Sequence, residues 1–232
     1  YGSRRIIKNL NDIFSPKSLK NLKAIVTAGS SIEKIDPVRF ISNFSSGIQG
    51  YEIAKSISTH GAKTILITGK TNINKPNNLK ILNAESAEDF YEKIIKNLPC
   101  DIFISAAAIS DWKMKNIVKK KLKKNQGDSI NLELNENIDI LEKISVHHNR
   151  PKLVIGFSAE TEKIIENSKS KFKKKKCDWM IANDVSHNKV FGSNYNKIHL
   201  ITDTKIENWP RMKKSAIAKK ISKKIVNFFK KK

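Results

Sequence analysis

Cysteine is almost missing from this 232-residue chain, which has two, Cys100 and Cys177. Each stands beside a short apolar run and neither has metal-ligand spacing. Isolated thiols of this kind fit a reducing cytoplasm and buried positions. The five histidines form no zinc pattern, since the adjacent His147 and His148 cannot share a helix face. A metal site made by the protein alone is therefore not expected. Long hydrophobic runs are absent too. Without about eighteen consecutive apolar residues, nothing is expected to span a bilayer. Tyr1-Gly2-Ser3-Arg4-Arg5 opens no apolar signal region, so secretion is not indicated. Gly-x-x-x-x-Gly-Lys-[Ser/Thr] does not occur, which excludes a Walker-type NTPase. Gly-x-Gly-x-x-Gly is missing as well, which weighs against a nicotinamide dehydrogenase.

Acidic and aromatic residues are scarce. Lys and Arg total 45 against 22 Asp and Glu, for a net charge of +23, and aromatics are 7%. Five of the basic residues are Arg, 40 are Lys, and Asn occurs 23 times. Lys, Asn and Ile share A/T-rich codons, so part of this bias is genomic. The placement is more informative. Residues 113–124 hold seven Lys and no acid, 163–176 hold seven Lys against Glu166, and 213–232 hold nine Lys and no acid. These segments carry 22 of the 23 net charges, so the rest is a nearly neutral domain. At least one of the three is expected to meet an anion. A nucleic-acid binder is the non-enzymatic alternative. Against it, the Lys clusters lack interleaved aromatics for base stacking, and Arg is rare. A basic C-terminal helix resting on a membrane is another alternative; docking on a sheet is favoured.

With 39% hydrophobic residues the chain can build a real core. Residues 1–20 read as a linker, with a helix-like piece (Ile6, Ile7, Leu10, Ile13, Phe14) hanging from an upstream domain. Residues 21–232 read as one nucleotide-binding domain. Apolar runs at 22–28, 64–68, 79–82, 101–108, 153–157 and 178–182 read as strands, and the alternating stretches 129–134 and 197–202 as further strands. Helices are expected over 46–60 with Gly61 as the stop, over 87–98 with Ser86 as cap, from about Glu160, and over 211–229. This alternation predicts an α/β fold: Rossmann-like, with a mostly parallel central sheet, helices on both faces and an added C-terminal strand region. In such sheets ligands sit at the carboxyl ends of the strands.

The loops at those ends hold the candidates. Thr27-Ala28-Gly29-Ser30-Ser31 follows the first strand, and Ser45-Ser46-Gly47-Ile48-Gln49-Gly50 opens the first helix. Backbone N–H groups there suit a phosphate, though a tight turn plus capping is the favoured reading of either fragment alone. Between them lies Asp36-Pro37-Val38-Arg39-Phe40-Ile41-Ser42-Asn43, longer than a strand-to-helix turn needs. Arg39 offers a bidentate guanidinium for a phosphate or carboxylate, or else pairs with Asp36. Ala106-Ala107-Ala108-Ile109-Ser110-Asp111 ends the fourth strand with small residues against which a ring or ribose could lie. Asp111 either binds a hydroxyl or base amine or caps the strand. Lys119-Lys120-Lys121-Leu122-Lys123-Lys124 is either a solvated run or a lid over a polyphosphate.

Taken in order, these blocks resemble phosphopantothenoylcysteine synthetase, the CoaB half of the bifunctional coenzyme A biosynthesis protein of bacteria. The resemblance covers roughly residues 22–205. It also takes in Gly156-Phe157-Ser158-Ala159-Glu160-Thr161 and Asn183-Asp184-Val185-Ser186, and its most specific part is Asp-Pro-Val-Arg…Ser-Asn-x-Ser-Ser-Gly at 36–47. The resemblance implies a cytoplasmic, homodimeric ligase that joins 4'-phosphopantothenate to L-cysteine with CTP and Mg²⁺, through an acyl-cytidylate. It implies that Asn43 handles that intermediate and that Lys121, on the lid, serves its formation. It further implies nucleotide binding by Ser105, Ala106, Ala107, Asp111, Lys121, Ile138, Asp139, Ile140, Leu141, Phe157, Lys171 and Lys175. Phosphopantothenate is expected at Gly29, Arg39, Ser45, Ser46, Gly47 and Ala108. Mg²⁺ is expected through the triphosphate, with no flavin in this chain and a fused flavin-dependent decarboxylase domain upstream. The chain departs from the family pattern at Lys34, at Ile48-Gln49 and at Ile138.

Overall fold

The computed structural model describes residues 16–76, 79–123, 129–185 and 192–230. The expected helix-like piece at 1–15, Lys124 of the Lys run and Ser186 of the last motif lie outside the described residues. The elements in chain order are β1 (Lys23–Ala28), β2 (Glu33–Lys34), β3 (Phe40–Ile41), α1 (Ile48–Thr59), β4 (Lys63–Thr68), β5 (Lys80–Asn83), α2 (Ala87–Ile95), β6 (Ile102–Ser105), β7 (Trp112–Met114), β8 (Leu134–Glu136), α3 (Ile140–Ser145), β9 (Leu153–Glu160), α4 (Ile164–Lys175), β10 (Trp179–Asp184), β11 (Tyr195–Ile201), β12 (Ile206–Lys213) and α5 (Lys214–Lys230).

Eight strands form one sheet in the order β12-β11-β10-β9-β6-β1-β4-β5. The pairs from β5 across to β10 are parallel, and β11 and β12 add antiparallel pairs at one edge. The chain leaves β1 outward to β4 and β5, then returns to β6 on the other side of β1. That reversal is the place where a doubly wound sheet opens a crevice. Successive β1 residues point to opposite faces, as strand pleating requires. Ala24, Val26 and Ala28 join a core with α1 and α5, while Ile25 joins a core with α2, α3 and α4. Both faces are covered, which explains why the parallel strands read as continuous apolar runs.

Local chemistry sets the helix ends. Ser86 caps α2 by accepting from the Asp89 N–H at 3.2 Å. Gly47, at φ 74°, turns the chain into α1. A Cβ on Gly50 would lie 2.7 Å from the Thr27 carbonyl oxygen, so α1 packs backbone-close on β1. Leu19 is fully buried and its N–H donates to the His60 carbonyl at 2.9 Å, so the packed unit reaches back to that residue.

Five expected boundaries shift. The run 101–108 is a strand only to Ser105, because the Ala106 and Ala107 N–H groups turn to the Thr27 hydroxyl, each at 3.1 Å. The strand expected at 153–157 extends to Glu160, which pairs with Asp184, and the helix after it begins at Ile164. Of the alternating stretch 129–134 only Leu134 is in a strand, on the hairpin of β7 and β8. The last helix begins at Lys214 rather than 211, because 206–213 pairs with β11 as an edge strand and buries Trp209. Cys100 and Cys177 are buried free thiols, and burial pushes each up to about 12.

Candidate active site

A cleft of about 890 Å³ opens over the carboxyl ends of β6, β9 and β10, at the reversal beside β1. The Asn43–Gly47 loop and the first turn of α1 make one wall. The 105–112 turn makes the floor, and 136–142 with α4 makes the opposite wall. Each piece is held by its neighbours. Thr27 Oγ1 fixes the Ala106-Ala107 turn, as above. The Ala108 N–H donates to the Gly29 carbonyl at 2.8 Å, which holds Ala108 beside the first loop. Buried Ser31 accepts the Ser110 N–H at 3.0 Å, and Ser42 Oγ donates to the Ser31 carbonyl at 2.6 Å. Asn43 Nδ2 donates to the Ile109 carbonyl at 2.9 Å, which sets the amide beside the Asp111 turn. The Asn137 N–H donates to the Asp111 carbonyl at 2.8 Å, which brings 137–141 to the same cleft. Asp139 then caps α3 by accepting from the Glu142 N–H at 2.9 Å.

Two of the three α4 lysines that line the cleft are paired with acids. Lys171 pairs with Glu160 at 2.8 Å. Lys175 pairs with Asp139, and with Glu142 at 3.2 Å. Burial pulls the Lys175 ammonium down, but Asp139 and Glu142 outweigh it, so its pKa stands above the ordinary lysine value. A polyphosphate that reaches Lys171 or Lys175 would exchange partners with these carboxylates.

Asn43, Ser45, Ser46, Gly47, Ser105, Ala106, Ala107, Ala108, Asp111, Ile138, Asp139, Ile140, Leu141, Phe157, Lys171 and Lys175 all line this cleft. Three expected residues do not. Gly29, at φ 76°, sits behind the loop against Thr71 and Gly69. Arg39 donates to Asp36 Oδ2 at 3.0 Å, so the pairing alternative holds in the free chain. Lys121 is exposed outside the cleft, on a segment tied down on both sides: the Val118 N–H donates to the Ile35 carbonyl at 3.0 Å and the Leu122 N–H to Asp36 Oδ2 at 3.2 Å.

Sequence reasoning underrated Asp36. Its buried carboxylate also accepts the Val38 and Arg39 N–H groups at 2.7 and 2.8 Å. Burial pushes its pKa up, but these donors and the Arg39 charge win, and the group sits below its ordinary value. Asn196 and Lys214 were missed altogether, and Thr27 and Gln49 stood only as members of the loop motifs, with no role of their own. A threonine ending a strand and one lysine among forty carry no local mark.

Among the described residues no group of three or more His, Cys, Asp or Glu is placed to hold a metal. Asp111 lines the cleft and makes no ion pair among the described residues, so it suits an ion that arrives with phosphate oxygens.

Comparison with known proteins follows the same lines. The model of the DNA/pantothenate metabolism flavoprotein C-terminal domain family matches residues 19–229. A coenzyme A biosynthesis bifunctional protein CoaBC from Borreliella burgdorferi is 39% identical over 222 residues, 94% of this chain and 56% of that protein. Its Haemophilus influenzae counterpart is 37% identical over 200 residues, 84% and 49% of the two chains. This chain thus spans about half the length of these curated relatives. The crystal structure of the C-terminal domain of a CoaBC protein superposes with a TM-score of 0.78 at 30% identity, covering 93% of this chain and all of that one. A Streptococcus pneumoniae DNA/pantothenate metabolism flavoprotein shares the fold, with a TM-score of 0.74 at 20% identity over 89% and 99%. The chain belongs to the DNA/pantothenate metabolism flavoprotein C-terminal domain family, the family of the CoaB domain that its motifs resemble.

Proposed function

We propose that this domain is a phosphopantothenate–cysteine ligase of coenzyme A biosynthesis that uses CTP. The observation that carries the reading is the convergence of Asn43, the Ser45–Gly47 turn, Ser105–Asp111, Ile138–Leu141, Phe157, Lys171 and Lys175 on one cleft. The acyl substrate's carboxylate attacks the α-phosphorus of CTP and pyrophosphate leaves. The cysteine amine then attacks the acyl carbon, loses a proton, and CMP leaves. The small residues Ala106 and Ala107 leave room for the nucleoside against the backbone, and Phe157 offers it an apolar wall. Lys171 and Lys175 exchange their carboxylate partners for phosphate oxygens and stabilise charge on the leaving pyrophosphate. Asp111 would help hold a Mg²⁺ that arrives with the triphosphate, and that ion would supply further neutralisation of this charge. The Asn43 amide, fixed by the Ile109 carbonyl, has a second N–H for the oxyanion that forms as the amine attacks. Lys121 starts outside the cleft, so its part requires the 115–123 segment to close, with the Asp36 contact as the anchor.

A homodimer fits the same reading. Val38, Phe40, Ile117, Ile130, Leu132 and Leu134 are exposed large apolar side chains on or beside the two small hairpins. A second copy would cover them.

The test is rapid-quench measurement of pyrophosphate and CMP with phosphopantothenate and each of the four NTPs, with and without cysteine. CTP is expected to support pyrophosphate release best. Lys121→Gln is expected to slow that release by roughly 10²–10³-fold. Asn43→Asp is expected to release pyrophosphate, accumulate acyl-cytidylate and yield little product when cysteine is added. Equal loss of pyrophosphate release in both variants would contradict the division of roles, and equal turnover with ATP would contradict the cytosine preference.

A further inference from the structure

Besides the exposed Lys174 of its α4 wall, the cleft holds a buried basic residue that the chemistry above leaves unused. Lys214 is the first residue of α5, lines the cleft and is 7% exposed. Lys171 and Lys175 across from it are paired with acids, whereas Lys214 makes no ion pair among the described residues. Burial is the one influence on its ammonium, and it draws the pKa below the ordinary lysine value. A cation more than nine-tenths buried and unpaired destabilises the free protein. Something that binds here has to compensate it.

The surroundings identify the chemistry. Gln49 Nε2 donates to the Lys214 carbonyl at 3.3 Å, which sets Lys214 against the first turn of α1, just past the Ser45-Ser46-Gly47 turn. Two helices therefore start side by side at the cleft, and neither has an acidic residue in its first turn. The helices α2, α3 and α4 each have one or two there. Two positive helix ends and a buried ammonium converge on one corner. The same cleft carries acceptors in want of donors. Asn196, 5% exposed, donates through Nδ2 to Asn183 Oδ1 at 3.0 Å, and its own Oδ1 is buried without a partner among the described residues, as is Gln49 Oε1. These suit O–H or N–H groups on the body of a ligand whose phosphate lies at Lys214, rather than a bare inorganic ion.

We propose that Lys214, together with the Ser45-Ser46-Gly47 turn, is a phosphate-binding cation of this cleft and makes the domain discriminate phosphorylated from unphosphorylated ligands. The proposal rests on the ligase reading for the identity of those ligands, which are the phosphomonoester of phosphopantothenate and the triphosphate of CTP. The binding site itself stands without that reading.

Thermal unfolding of the intact domain tests it, using wild type, Lys214→Met and Lys214→Arg. Each is melted alone and with inorganic pyrophosphate, CTP, phosphopantothenate or pantothenate, and KM is measured for CTP and phosphopantothenate. Without ligand, Lys214→Met is expected to melt above wild type, since it removes an unpaired buried charge; a lysine with a merely structural role would melt lower. Its affinity for the phosphate-bearing ligand is expected to fall roughly 10–100-fold, as for loss of a hydrogen-bonded charge, with Lys214→Arg retaining most of the binding. Loss confined to phosphopantothenate, with pantothenate unaffected, assigns the monoester. Loss confined to CTP and pyrophosphate assigns the triphosphate. Wild-type stabilisation of Lys214→Met by every phosphate ligand would overturn the proposal. So would failure of both Lys214→Met and Lys214→Gln to fold while Lys214→Arg folds. If wild type binds these anions through Lys214 yet forms no product with cysteine, the ligase reading fails and the site remains.

Discussion

Thr27 shows how much of this site depends on residues that touch no substrate. Its hydroxyl is nearly inaccessible and accepts two N–H groups from the turn that forms the cleft floor. Thr27→Val keeps the shape and strands both donors. The expected cost is about 1–3 kcal/mol in urea unfolding, together with a raised KM for CTP and a nearly unchanged KM for cysteine. Such roles are where sequence reading stops. Asn43, Asp111 and Phe157 are legible because they stand in an ordered set of motifs. The role of Thr27, although it stands in the first loop motif, and that of Lys214 are not, because they arise from what a distant segment places beside them: the Thr27 bonds reach across 79 and 80 residues. Arg39 is the converse case. Its rarity marked it for an anion, and in the free chain the anion is its neighbour Asp36.

Between elements, two carboxylates act as clamps. Asp36 ties the β2–β3 hairpin to the lysine-bearing segment through the Leu122 N–H. Asp36→Asn weakens charge-assisted bonds without changing the shape. Hydrogen exchange at the Leu122 amide is expected to quicken, and pyrophosphate release to slow by about tenfold, while the exchange of core strands stays unchanged. Glu207 joins β12 to α5: it accepts from Lys224 at 2.6 Å and from Trp209 Nε1 at 3.2 Å, and pairs with Lys205 at 2.8 Å. Burial raises its pKa, but these donors lower it further, to about 2 from the ordinary 4.5. A depressed carboxylate stabilises the fold above its unfolded pKa and loses that contribution as pH falls through the folded one. The contribution, on the order of 1–2 kcal/mol after screening, is expected to vanish between pH 4.5 and about 2. Glu207→Gln is expected to flatten the stability profile in that window and to leave it unchanged below. The strand that carries Glu207 was illegible because Glu207, Asn208 and Pro210 interrupt its apolar pattern. Proline is tolerated at the edge of a sheet, where its missing N–H costs no ladder bond. The buried parallel strands, apolar on both faces, were legible in place, with ends off by three residues at β6 and β9.

For the molecule as a whole, +23 charges and a stripe of exposed apolar side chains pull in opposite directions. The alternation of Ile130, Leu132 and Leu134 is a strand-like pattern, and in the single chain all three side chains remain exposed. If a second copy covers them, light scattering at micromolar concentration gives twice the chain mass. Leu132→Glu is then expected to shift the protein toward monomer with its circular dichroism unchanged, whereas a monomeric wild type would remove the basis for the dimer. The packing of α5 has a further consequence. Its Ser222 meets Ser56 of α1 at 2.7 Å across 166 residues of sequence, and Ile217, Ile221 and Ile225 complete the core that β1 and α1 begin. During synthesis the β1–α1 unit therefore emerges well before α5 and keeps its outer apolar stripe uncovered until α5 has followed. A ribosome that stops before Lys214 releases a chain whose α1 lacks its cover, a species bound for chaperones or proteases.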